Sequence, residues 1–180
     1  MHVFKHLGVV MKHKALVFVH CVRAGIPIQG LLHDMSKFSP TEFIPGAKYC
    51  TGKGSPIPIE RRVEGYSKAW IHHKAHNKHH IEYWVDYFED TKQLVPVEMP
   101  EKYVIEMFCD MLAANKVYRG KAHSNGDAIV YFREKEMAER MHKNSEALLE
   151  KYFTVLAEKG EREAFRYIRK TRSRKGADAV

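Results

Sequence analysis

The sequence predicts an all-α fold: a single-domain bundle of about seven or eight helices. Three observations lead there. Apolar residues recur at helical spacing along most of the chain. Capping residues and glycine or proline stops bracket these segments. Strand-type alternation never persists, and no Asn-Gly turn lies between β-branched runs. The chain has 180 residues, which suits one domain able to bury a core without disulfides.

The elements follow in order. Residues 3–24 form a first helix with Val9, Val10, Leu16, Val17, Val19 and Val22 on its apolar faces, stopped by Gly25. Pro27 opens a short helix, IPIQGLLHDMSK, with proline in the first turn where its missing N–H costs little. Ser39-Pro40-Thr41-Glu42 has the form of a capping box and starts a third helix. Residues 51–58 form a loop. A long helical segment spans about 59 to 80, with a break near Asn77, and residues 90–100 read as a connection. Pro100 starts a helix that ends before Gly120. Asp127 caps the next, and Ser145 caps another that Gly160 closes. A last short helix leads into the basic end. The expected organisation is a helical domain over 1–165 and a basic tail over 166–180.

Composition bounds the function classes. With 44% hydrophobic and 29% charged residues, the chain is of ordinary globular type. No apolar run reaches the roughly 18 residues of a membrane span, and the start lacks the apolar block of a signal peptide. A cytoplasmic protein without membrane contact is expected. Cys21, Cys50 and Cys109 form no CxxC, so buried free thiols are expected. The net charge is +8, which favours anionic partners. Six Lys or Arg lie within Arg166–Lys175. That stretch reads as a solvated terminus, with weak nucleic-acid contact as the other reading. Composition sets no oligomeric state.

Twelve histidines are many, and their placement matters more. His33-Asp34 ends the apolar run GLLHD and precedes Met35-Ser36-Lys37, and taken alone it reads equally as a helix C-terminal His with an Asp capping the next turn. Burying a carboxylate costs several kcal/mol unless it is paired or binds a metal. Asp110 poses the same problem inside EMFCDMLAANK, and His13 lies upstream within HKALVFVH. A divalent ion would satisfy all four, since His gives a neutral nitrogen and Asp a charged oxygen. Further on, His72, His73, His76, His79 and His80 fall within nine residues. Pairs at i,i+4 on one helix can grip a metal. The plainer reading of that segment is a basic, phosphate-contacting or solvated face.

The order His13, His33-Asp34, Asp110, with the doublet followed by Ser36-Lys37, resembles the HD superfamily of metal-dependent phosphohydrolases over roughly residues 10–120. The phrases GIPIQGLLHDMSKFSPTEFIPGAKY and AWIHHKAHNKHHIEYW are similar to an uncharacterised bacterial and phage family of small HD-like helical proteins. The resemblance implies an HD-like bundle in which His13, His33, Asp34 and Asp110 hold a first metal. The step from His13 to the doublet is about a turn shorter than in many HD proteins, and His20, seven residues on, is the rival. Two further histidines would hold a second ion bridged by Asp34. His73 and His80 are the candidates, with His79 next.

Lys37 is the candidate catalytic and substrate-contacting cation beside Asp34, the alternative being a surface lysine at a helix C-terminus. Lys74, Lys78, Asn115 and Lys116 are further candidate substrate contacts. Tyr83, Trp84, Tyr87 and Phe88 read as core, and otherwise as a stacking platform for a base. P-loop, GxGxxG, GxSxG and HExxH motifs are absent. The resemblance implies hydrolysis of a nucleotide or other small phosphoester with one or two ions of manganese, iron, cobalt, magnesium or zinc. Its alternatives are a di-iron HD-like oxygenase, or a nucleic-acid- or protein-binding module with a structural metal site.

Overall fold

Helix α1 (Val3–Ala24) turns one face inward, burying His6, Val10, His13, Val17, His20 and Ala24. Three of these are histidines spaced by seven residues, so each lies two turns from the next on that face. Gly25 ends the helix at φ 82°, and its N–H and that of Ile26 return to the carbonyls of Val22 and Cys21. The chain reverses into α2 (Pro27–Leu32), which packs closely on α1. A Cβ at Gly30 would lie 2.6 Å from Cys21 Cβ and 3.1 Å from Phe18 Cα, so only glycine permits this approach.

The computed structural model describes all residues except 53, 135, 136 and 178–180, with backbone alone for 173–177. Helices α3 (Pro40–Tyr49), α4 (Ile57–Glu64) and α5 (Lys68–His76) form one flank of α1. Helices α6 (Glu101–Arg119), α7 (Asp127–Glu134) and α8 (Lys143–Ala177) form the other. The main core lies where α1, α6 and α8 meet. There Phe108 of α6 has its ring 5.3 Å from Phe153 and 5.8 Å from Phe165. Gly160, at φ 78° and ψ 174°, divides α8 into two helical stretches, at the position where the sequence places a stop.

The eight α-helices among the described residues agree with the expected all-α class, with three local departures. The segment expected as one helix over 59–80 is divided. Gly65, at φ 80°, ends α4, and the Ser67 hydroxyl accepts the Trp70 N–H to start α5. Asn77 ends α5, so His79 and His80 lie in the turn beyond it. A two-stranded hairpin, β1 (Val85–Phe88) with β2 (Gln93–Pro96), occupies a stretch where no strand is expected. Its register pairs Val85 with Pro96 and Phe88 with Gln93. Four-residue strands are too short to show alternation. The hairpin also corrects the expected core role of Tyr87 and Phe88, which are exposed, while Trp84 packs against Tyr103 of the core. The third departure is at Glu42. Ser39 makes no side-chain cap on α3, and Glu42 turns away from the helix start towards α5.

The basic end is helical through Ala177. Ile168 is buried in the core, and the Arg172 guanidinium donates to the Gly25 carbonyl. The side chains of Arg174 and Lys175 lie outside the described residues. The three cysteines are buried free thiols, and among the described residues no helix is long and apolar enough to cross a membrane.

Candidate metal centre

Four parts of the chain converge on Asp34. Its backbone sits at φ 54°, ψ 29°, between the end of α2 at His33 and a short 3-10 turn over Met35–Phe38. A non-glycine residue in this left-handed region is uncommon, and aspartate is among those that tolerate it. The turn leaves His33 Nε2 3.2 Å from Asp34 Oδ2. Helix α1 brings His13, and α6 brings Asp110: His13 Nε2 lies 2.8 Å from Asp110 Oδ1 and 3.9 Å from Asp34 Oδ2. On the other side, α5 brings His73 Nε2 to 3.3 Å from Asp34 Oδ1, and the turn after it brings His79 Nε2 to 3.5 Å from the same oxygen. His80 completes this second set.

Two donor sets therefore share Asp34. One is His13, His33, Asp34 and Asp110; the other is Asp34, His73, His79 and His80. Within each, one ligand atom per residue lies within 4.8 Å of the others.

Two buried glutamates fix the orientation of these imidazoles. Glu106 Oε1 lies 3.0 Å from His33 Nδ1 and 3.3 Å from His79 Nδ1. Glu42 Oε2 lies 2.8 Å from His73 Nδ1, and its other oxygen lies 2.7 Å from His72 Nδ1. An ionised carboxylate only accepts, so each of these Nδ1 atoms carries the proton. The Nε2 lone pairs of His33, His73 and His79 then face carboxylate oxygens. Acceptor opposes acceptor unless a cation or a proton lies between. In keeping with this, Asp34 Oδ1 and the Nε2 atoms of His33, His79 and His80 are buried without a hydrogen-bond partner among the described residues, while His13 Nε2 meets the Asp110 carboxylate and Asp34 Oδ2 the Lys37 ammonium.

The titration of these groups reports the same opposition. Burial would keep Asp34 neutral, but His33, Lys37 and His73 outweigh it and hold the carboxyl well below the usual range. Asp110 is likewise held low, against burial, by His13 and His33. Burial would also strip His33 of its proton, yet Asp34, Asp110 and Glu106 push it well above the ordinary imidazole value. Burial, with His79 and His73 nearby, drives His80 well below it. Lys37 places its ammonium 2.5 Å from Asp34 Oδ2. Burial opposes its charge, but Asp34 and Asp110 outweigh burial and raise its pKa. In this state the proton on His33 and the Lys37 ammonium supply positive charge at the centre.

The centre opens into a cavity of about 760 Å³. Beyond the candidate ligands, its walls include Arg61, Trp70, Asn115, Tyr118, Arg119 and Arg140. Arg61 lies 5.8 Å over the Trp70 ring, Arg119 pairs with Asp127 at 3.0 Å, and Arg140 lies 3.9 Å from Glu82.

His13, His33, Asp34, His73, His80 and Asp110, all singled out in the sequence, come together here, and His79 joins them. Lys37 and Asn115 also line the cavity. The rival ligand His20 lies elsewhere: its Nδ1 is 3.3 Å from the Cys109 carbonyl and its Nε2 3.3 Å from Lys116 Nζ. Lys116 turns to His20 and Glu161, away from the cavity. Lys74 and Lys78 are not among the lining residues, and Lys78 places its ammonium over the Tyr83 ring. Glu42 and Glu106 were not singled out. Glu106 carries the same signal that marks Asp110, an acid in an apolar run one turn earlier on α6, whereas Glu42 reads as a cap residue.

A family model described as a family of unknown function, DUF5662, matches residues 2–155. The chain belongs to the DUF5662 family. The matched region holds every residue of both donor sets. No curated protein and no solved structure matches this DUF5662 chain.

Proposed function

We infer that the chain is a metal-dependent phosphohydrolase with a two-ion centre bridged by Asp34, acting on a nucleotide or other small phosphoester. One observation carries the reading: Asp34 is 2% exposed, its Oδ1 faces the imidazoles of His73 and His79, and its Oδ2 faces those of His33 and His13 beside the Lys37 ammonium, so each oxygen meets a separate set of imidazoles. Nitrogen and carboxylate donors together suit manganese, iron, cobalt or zinc, and magnesium less well. Ions held there would lower the pKa of a bound water and polarise a phosphoryl oxygen. The HD resemblance of the His13, His33-Asp34, Asp110 order supports the same chemistry.

The chain's own groups then have distinct tasks. Glu106 and Glu42 hold the imidazole tautomers that leave Nε2 free to ligate. Lys37 neutralises Asp34 in the ion-free site. Once cations take that role, its ammonium is free to bind a phosphate oxygen and offset charge that develops there. The cavity falls within the roughly 300–1,000 Å³ of small-molecule pockets, ample for a nucleotide. Arg61, Arg119 and Arg140 favour an anion, and Trp70 and Tyr118 offer flat apolar surface.

The test is metal analysis of the natively purified protein beside Asp34→Ala, with a nucleotide and phosphomonoester panel. About two equivalents of metal, lost in the variant along with phosphate release while circular dichroism is unchanged, is the expected result. Unchanged phosphatase activity in Asp34→Ala rules the reading out. The three imidazoles of the second set also suit a di-iron oxygenase, which iron content and oxygen consumption without phosphate release would identify. Salt-dependent nucleic-acid binding without metal-dependent turnover would identify a binding module instead.

A further inference from the structure

Helix α1 has a second apolar face, opposite the one that carries His13. Phe4, Gly8, Met11, Ala15, Phe18 and Val22 follow one another at steps of four, three, four, three and four. That is the repeat of a helix-packing seam. All six are exposed: Phe4 is 89% accessible, Met11 50% and Val22 47%. A Cβ placed on Gly8 would meet nothing within 4 Å, so the seam is left open between Phe4 and Met11. Ile28, Leu31 and Leu32 of α2, which packs on α1, are also exposed. Monomers rarely expose a contiguous apolar surface of this extent without a partner.

The order of sizes along the seam identifies the partner. We propose that this face is the interface of a homodimer, in which two α1 helices pack antiparallel about a two-fold axis passing between Met11 and Ala15. Under that axis Phe4 meets the partner's Val22, Gly8 meets the partner's Phe18, and Met11 meets the partner's Ala15. Each larger side chain lies against a smaller one, and the open place at Gly8 receives the Phe18 ring. The pairing is reciprocal, so the interface closes on itself. The same axis sets each α2, with Leu31 and Leu32, beside the N-terminal half of the partner's α1.

A lipid surface fits less well. Residues 1–33 contain no Asp or Glu, which suits anionic lipid, but Gly8 and Ala15 give a bilayer little to bury. Lys14 directs its ammonium to the carbonyls of Leu31 and His33, at 2.8 and 2.6 Å. Lys12 flanks the seam and comes near its own copy across the axis. Dimerisation therefore strengthens as salt screens this pair, whereas lipid attraction weakens.

The experiment is sedimentation velocity on the full chain from about 1 to 100 µM, with circular dichroism as the fold control. Wild type is expected to dimerise, more tightly at high salt. Ala15→Met sets Met against Met and should weaken the dimer roughly tenfold or more. The double variant Met11→Ala, Ala15→Met restores the large-small pairing and should restore the dimer. A monomer throughout the range overturns the proposal, whether or not it binds vesicles containing phosphatidylserine. A dimer indifferent to Ala15→Met, or a double variant no tighter than Ala15→Met, overturns it too.

Discussion

His13 and His20 sit seven residues apart on one buried face of α1, and they meet different chemistry. His13 faces the carboxylates of Asp110 and Asp34, whereas His20 faces a carbonyl and the Lys116 ammonium. Helical periodicity places both inward and cannot separate them. What separates them is the partner chain segment, α6, whose Asp110 reaches one and whose Lys116 reaches the other. Burial, reinforced by Lys116, lowers the His20 pKa to about 4. In the unfolded chain His20 titrates near 6.5 and takes up its proton first. The unfolded state thus binds more protons between those values, and stability falls as pH falls through that window. The loss attributable to His20 is about 2 kcal/mol by pH 5. Urea unfolding of wild type and His20→Gln at pH 7.5 and pH 5 measures it. The variant should lose about 2 kcal/mol less than wild type on acidification, and equal losses would show that His20 does not set the acid response.

Helix α6 presents Glu106 and Asp110 one turn apart, and that spacing lets one element serve both donor sets. A single oxygen, Glu106 Oε1, is the neighbour of His33 Nδ1 and of His79 Nδ1, so it links an imidazole of the first set to one of the second. In Glu106→Gln, the neutral amide keeps an acceptor oxygen but loses the carboxylate's charge. Affinity for both ions should fall by roughly 10–100-fold. Glu42→Gln, which touches His73 but neither His33 nor His79, should weaken one ion alone. Calorimetric titration with manganese distinguishes these outcomes, and a Glu106→Gln protein with both affinities intact would remove Glu106 from the site's support. At this scale much was legible in the sequence. The apolar repeat and Gly25 delimit α1, and Gly160 marks the kink in α8. The region from 59 to 96 was not, because its breaks depend on tertiary partners. Glu60 accepts from the Ser67 hydroxyl at 2.5 Å and from the Lys68 N–H at 3.1 Å, fixing the start of α5. That shortened helix frees His79 and His80 to turn towards Asp34, where helical spacing alone would place His76 with His73 and His80.

The whole molecule is arranged so that α1, the end of α2, α5 with its following turn, and α6 all come together at the candidate centre. Their apolar faces are packed elsewhere, against α8 and one another. Where they meet, buried acceptors oppose buried acceptors. Ions at that point would therefore tie together elements far apart in sequence and relieve the opposition, so metal binding and folding stability are linked. A ligand at a hundred times its dissociation constant stabilises the fold by about 2.7 kcal/mol. For a domain of this size, 1 kcal/mol moves Tm by roughly 2–4 °C. Chelator-treated protein should then melt roughly 5–10 °C below the metal-loaded form. Asp34→Ala should show no such difference, because the shared ligand is gone and the imidazoles that remain are left in two incomplete sets. Differential scanning calorimetry of both proteins, each with chelator and with manganese or zinc, reads the effect directly. If the wild-type Tm ignores metal, the convergence of these elements serves packing alone; if it rises and the Asp34→Ala value does not, the bundle is held at its centre by the ions its histidines surround.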